Sequence, residues 1–161
     1  MLCVAGCKET EPIVINDNVP VLERGDSAAR TVLVYMMAEN SLAFNAGSDL
    51  YEMKRGANFI PDSCYLLAFV DAADKPYICR FYESKSGKSV CDTVLQFQDD
   101  FYSTDSAKFS EVMNWVLQEF PSENLGLVMW SHGSGWLYDA NKSRSIGVDN
   151  RSEERRVGKE V

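Results

Sequence analysis

Apolar residues recur along this chain in two rhythms. Short, near-continuous runs of strand length alternate with stretches at helical spacing. Thr31-Val32-Leu33-Val34-Tyr35-Met36-Met37 is the first run, and Cys64 to Val70, ending at Asp71, is the second. Both are apolar at successive positions, the pattern of strands covered on both faces of a parallel sheet. Between them Ser41 is placed to cap a helix reaching about Gly56, with Leu42, Ala46, Leu50 and Met53 on one face. Gly47 and Gly56 weaken that helix. Pro61-Asp62-Ser63 then turns the chain into the second run. Strand, helix, strand in this order predicts a parallel pair joined by a right-handed crossover.

The next two runs, Tyr77 to Tyr82 and Val90 to Phe97, flank Ser84-Lys85-Ser86-Gly87-Lys88 and read as a hairpin. Thr104 or Asp105 starts the clearest helix. Its face Phe109, Val112, Met113, Val116, Leu117 and Phe120 follows the i, i+3, i+4, i+7 rule, and Pro121 ends it. That stripe, with Trp115 beside it, reads as core packing. Leu125 to Trp130 follows as a short apolar run, expected to be a buried strand, and it opens into Ser131-His132-Gly133-Ser134-Gly135. The three parallel strands are expected to share a carboxyl edge with His132 on it, where open α/β sheets bind ligands.

Length and composition are those of one globular domain. The 161 residues are 45% hydrophobic and 25% charged, enough for a real core. A net charge of −8 argues against a nucleic-acid partner, which needs a basic stripe. No apolar run approaches the length of a membrane-spanning helix.

Both ends depart from this pattern. Val4-Ala5-Gly6-Cys7 resembles a bacterial lipobox, with Cys7 as the lipid-bearing residue, so residues 1–7 are expected to be the remnant of a lipoprotein signal. Residues 8–29 read as a polar tether and residues 30–150 as the folded domain. Export, a lipid anchor and a place in the bacterial cell envelope follow from that reading. Residues 151–161, Arg151 to Val161, lose all apolar periodicity and read like the translation of a sequencing-adapter oligonucleotide. They carry four positive and three negative charges, so the net −8 becomes −9 without them.

Candidate chemistry centres on His132, the only histidine in the chain. An imidazole at a strand end can exchange protons with a substrate near neutrality. Gly133 and Gly135 remove side chains beside it, so backbone N–H groups can approach a ligand. A loop histidine bonded to backbone, beside glycines that only turn the chain, is the plainer alternative. Five cysteines are present. Cys64 opens an apolar strand, where an inert buried thiol is the default. Cys79 and Cys91 lie about symmetrically around the hairpin turn and could face each other as a disulfide. No cysteine has metal-site spacing, and one histidine cannot supply a zinc set, so neither metal nor cofactor is expected. Glu39, Asn40 and Asp71 end strands on the presumed cleft edge, where turn formers are also common.

Two blocks carry a family resemblance. Thr31 to Leu42, Thr-Val-Leu-Val-Tyr-Met-Met-Ala-Glu-Asn-Ser-Leu, resembles the opening strand and turn of the clostripain family of cysteine peptidases. Phe109 to Trp136, with Phe120-Pro121 and then Leu-Gly-Leu-Val-Met-Trp-Ser-His-Gly-Ser-Gly-Trp, resembles its next landmark. The resemblance covers about Thr31 to Asn150, the N-terminal part of a peptidase domain. It implies a caspase-like α/β fold, a mostly parallel sheet flanked by helices, and a Cys–His pair acting on a peptide or protein substrate. His132 matches the catalytic histidine and Gly133 the glycine whose N–H helps form the oxyanion hole. The family's nucleophile lies in an Asp-Ala-Cys-like stretch after the next core strand, with an acid that selects Arg or Lys. No residue here matches it, so this chain is expected to be an inactive fragment with one sheet edge unpaired. Two rivals stand beside this reading. One is an α/β-hydrolase with a His-Gly-x-Gly oxyanion loop. The other is a non-catalytic surface lipoprotein on the same fold.

Overall fold

The computed structural model describes residues 27–72, 75–133 and 146–147. Cys7, the tether up to residue 26, Gly135 and the charged run 151–161 lie outside the described residues. Five strands and two helices follow in the order β1 (Arg30–Met37), α1 (Ala43–Gly56), β2 (Cys64–Asp71), β3 (Tyr77–Glu83), β4 (Ser89–Gln96), α2 (Ser106–Glu119) and β5 (Leu125–Trp130). A single 3-10 turn, Ala57–Phe59, extends α1.

The strands form one sheet in the order β4-β3-β2-β1-β5. β1 pairs in parallel with β2 on one side and β5 on the other, as the three apolar runs predict. The β3–β4 hairpin continues the sheet antiparallel, so the sheet is mixed. Gly87 turns that hairpin at φ 74°, a backbone conformation that favours glycine.

Alternation along the strands divides the core between two faces. Leu33, Tyr35 and Met37 of β1, with Leu67 and Phe69 of β2, pack against Val112 and Val116 of α2. Tyr35 stacks on Phe69 at 4.4 Å and meets Phe109 edge-on at 5.1 Å, an arrangement aromatic quadrupoles favour. Its hydroxyl donates to Ser103 O at 2.9 Å, and burial with Asp71 and Asp105 nearby holds the phenol well above its usual pKa. On the opposite face Met36, Ala38, Ala68 and Val70 pack against Ala46, Leu50 and Met53 of α1. Cys79 and Phe81 of β3 extend that second layer. α2 begins where the sequence indicates, because the Asp105 carboxylate accepts from Ala107 N and Lys108 N at 2.8 and 3.0 Å.

Four expectations need correction. Ser41 does not cap α1: Leu42 holds the cap position, no side chain caps it, and Asn40 Oδ1 accepts from Leu42 N at 2.9 Å. β5 is not a buried strand. It pairs only with β1, and Leu125, Leu127 and Val128 are exposed along it; among the described residues its outer edge has no strand partner. Leu117 is 48% exposed, because the stripe of α2 that meets the sheet centres on Val112 and Val116. Cys79 and Cys91 are free thiols two residues out of register, since the turn sets Cys79 against Thr93 and Phe81 against Cys91. Cys64, at the start of β2, is half-buried.

The N-terminal edge of β1 is sealed by the α2–β5 connection. Ala28 is buried, its N–H donates to Pro121 O at 3.1 Å, and Glu123 N donates back to Ala28 O at 2.9 Å. The Thr31 hydroxyl, fully buried, donates to Phe120 O at 2.9 Å.

Two predictions follow from this packing. Leu67→Ala should destabilise the domain by about 2–5 kcal/mol, as a fully buried leucine does, while Leu117→Ala should change stability by less than about 0.5 kcal/mol. Urea unfolding midpoints of the two variants would separate a buried from an exposed position. The second concerns the thiols. A hydrogen bond shared with Cys91, together with burial, pushes the Cys79 thiol far up, and the same bond lowers Cys91. Brief alkylation of the folded chain, mapped by mass spectrometry, should therefore mark Cys91 and Cys64 before Cys79.

Candidate active site

The carboxyl ends of β1, β2 and β5 lie side by side, with Met37 paired to Asp71 and Met36 to Trp130. Two loops leave this edge, and both are tied to the same atom. The Ser131 hydroxyl donates to Met37 O at 2.8 Å, fixing the chain as it leaves β5. Asn40 Nδ2 donates to Met37 O at 2.9 Å, fixing the turn after β1. Asn40 also holds that turn through Oδ1 and through its own carbonyl, which accepts from Ala43 N at 3.2 Å. Asn40 is therefore the turn former of the plainer reading.

These ties bring Ser41 and His132 together. His132 is exposed on the edge, and its Nε2 lies 2.8 Å from Ser41 Oγ. Nδ1 forms no hydrogen bond with a described residue. Which nitrogen carries the proton follows from how the hydroxyl is used. Among the described residues the ring is thus held by a side chain rather than by backbone.

The His132 backbone is fixed from the other direction. Gly147 N donates to His132 O at 3.0 Å, and Gly133 forms an antiparallel bridge with Ile146. Gly147 has φ 99°, and a Cβ there would sit 2.7 Å from Met37 Sδ, so only glycine fits the return of the chain against β1. Gly133 is exposed beside His132, and its N–H enters none of the backbone hydrogen bonds of the described residues. An exposed imidazole next to the backbone N–H of Gly133 can manage protons and stabilise negative charge.

Further along the edge, Trp130 Nε1 donates to Asp49 Oδ2 at 2.7 Å and pins α1 to β5. Glu39, Asp71 and Asp100 bring carboxylate oxygens within 4.8 Å of one another. That spacing suits a cation, and acidic groups also gather this way without one. Asp71 is fully buried at the end of β2, and its carbonyl accepts from Ala38 N at 2.7 Å.

None of the described cysteines reaches His132. Cys64 sits at the amino end of β2, about 23 Å of strand from the carboxyl edge. Cys79 on β3 is three strand spacings from β5, about 14 Å, and Cys91 on β4 is four, about 19 Å. The sequence pointed to His132 and Gly133 but not to Ser41, Ser131 or Gly147. A serine after a strand and before a helix looks like a cap, and its contact lies 91 residues away.

Comparison with known proteins places the fold in a family. The clostripain family profile matches residues 34–158. A solved B. fragilis cysteine protease is 37% identical with a TM-score of 0.63, over 72% of this chain and 98% of that one. A secreted cysteine protease of Bacteroides thetaiotaomicron, solved with an irreversible peptide inhibitor, is 34% identical with a TM-score of 0.65. That match covers 74% of this chain and 33% of the relative. An inactive zymogen protease from Parabacteroides distasonis is 26% identical with a TM-score of 0.62, over 71% of this chain and 33% of that one. The chain therefore spans nearly all of the first relative and a third of the other two. Among curated proteins none matches. The α/β-hydrolase alternative falls with these matches, since they join the same sheet to a different chemistry. This chain belongs to the clostripain family, cysteine peptidases of caspase-like fold.

Proposed function

We propose that this chain supplies the histidine half of a Cys–His endopeptidase that cleaves peptide or protein substrates after Arg or Lys. The observation that carries the reading is His132, exposed at the carboxyl edge of β5 with its Nε2 2.8 Å from Ser41 Oγ. In the reaction Nδ1 manages the protons needed for thiolate attack and for departure of the amine. The Gly133 N–H contributes to the oxyanion site, where one such donor is worth about 2.7–4 kcal/mol to the transition state.

The nucleophile, in this reading, is supplied by sequence other than the described residues. Two observations support that. Cys64, Cys79 and Cys91 are strand-separated from His132, and two of the solved relatives are about three times the length this chain covers. The outer edge of β5, which no described strand pairs, is where the strand leading to the nucleophile would add. The Arg or Lys preference rests on the family resemblance alone. Export and acylation at Cys7 rest on the lipobox, and one solved relative is described as secreted.

Two outcomes test this. The 161-residue chain should not hydrolyse Arg- or Lys-containing peptides. The full gene product should do so, lose activity to a thiol alkylator, and lose at least about a thousandfold in kcat on His132→Ala. Alkylator-sensitive, His132-dependent cleavage by the 161-residue chain would instead make one of its own cysteines the nucleophile, and an inert full gene product would favour the non-catalytic surface protein. For the anchor, the full gene expressed in a bacterium should take up radiolabelled palmitate and partition into detergent, and Cys7→Ala should abolish both. An unlabelled, aqueous wild-type product would leave the lipobox a coincidence.

A further inference from the structure

We propose that Ser41 is the positioning residue for His132, its hydroxyl oxygen accepting a hydrogen bond from Nε2–H and so reserving Nδ1 for proton transfer. The inference rests on the peptidase reading for its consequence, but not for its geometry.

Three observations carry it. The Ser41 hydroxyl is 2.8 Å from His132 Nε2, a good hydrogen-bond distance. Ser41 lies one residue before the cap position, which Leu42 holds, and no side chain caps α1, so its hydroxyl is not taken up by the helix end. Both partners are held from behind by one acceptor, because Asn40 and Ser131 each donate to Met37 O. The turn carrying Ser41 and the loop carrying His132 therefore cannot drift apart without breaking a bond to β1.

The direction of the bond matters for chemistry. A histidine that takes and returns protons must keep the same nitrogen working in both charge states. If Ser41 Oγ accepts from Nε2–H, that bond is present in the neutral ring and in the imidazolium alike. Nδ1 then carries the lone pair in one state and the transferable proton in the other. If the hydroxyl instead donated to Nε2, the neutral ring would hold its proton on Nδ1 and lose its base. Ser41 therefore selects the tautomer and the ring orientation, as outer partners of other working histidines do.

A chain with a single histidine makes the test direct. In 15N NMR of the histidine-labelled 161-residue chain, the neutral ring should carry its proton on Nε2, and that proton should be visible through slowed exchange with water. Ser41→Ala should lose the visible proton and Ser41→Thr should keep it. Should Ser41→Ala fail to fold, judged by its urea midpoint, Ser41→Gly is read instead. In the full gene product, Ser41→Ala should lower kcat by about 3–10-fold, the range expected for one hydrogen bond, with KM within about twofold. Ser41→Thr should restore most of the loss. Ring signals unchanged by Ser41→Ala, or a neutral proton found on Nδ1, would overturn the proposal. So would a raised KM with unchanged kcat, which would make Ser41 a substrate contact. A full gene product without peptidase activity would sink the enzyme reading and leave the NMR result standing.

Discussion

The carbonyl oxygen of Met37 is the atom on which the arrangement of the site depends. It ends β1, the strand that pairs in parallel on both sides, and it accepts from Asn40 on one loop and Ser131 on the other. A parallel strand leaves its last carbonyls without a ladder partner beyond the sheet, and such groups must find one elsewhere. Here the partners are side chains from two separate loops, so satisfying one backbone group also sets the distance between Ser41 and His132. Gly147 reinforces the same point, since its missing Cβ lets the returning chain press against the Met37 side chain.

Behind that edge the sheet is covered on both faces, which makes β1 and β2 stiff enough to hold it. Tyr35, Phe69 and Phe109 form an aromatic layer under α2, and Met36, Ala68 and Val70 meet α1 through small residues such as Ala46 and Ala57. Trp130 links the two halves, because its indole N–H reaches Asp49 on α1 while its backbone pairs with β1. The contrast with β5 is informative. Among the described residues that strand pairs on one side only and exposes Leu125, Leu127 and Val128, apolar side chains of a kind that strands usually bury.

The cysteines show how topology constrains chemistry more than residue type does. A thiol beside an imidazole is a plausible pair in any sequence that contains both, yet sheet order puts every described thiol strands away from His132. Cys79 is buried and Cys91 half-buried on the hairpin, where a packing role suits them, and Cys64 starts a strand whose other end forms the edge. Proton chemistry at His132 consequently depends on what the ring can reach at the carboxyl edge, and among the described residues Ser41 is the group hydrogen-bonded to it.

By itself the sequence determined the strands, the two helices, the parallel pairing of the three apolar runs and the place of His132. Each follows from local rules: consecutive apolar residues for strands covered on both faces, helical spacing ended by Pro121, and a capping Asp105. The clostripain resemblance was legible in the same way, because its landmarks are contiguous blocks. Tertiary structure alone decided the burial of β5, the register of Cys79 against Thr93, the exposure of Leu117 and the partner of Ser41. Those depend on which elements happen to lie alongside, and spacing along a chain does not encode that. Ser41 is the sharpest case. Locally it is a serine before a helix, where capping is the favoured use of its hydroxyl, and only the shared hold on Met37 O brings an imidazole from 91 residues away close enough to take it instead.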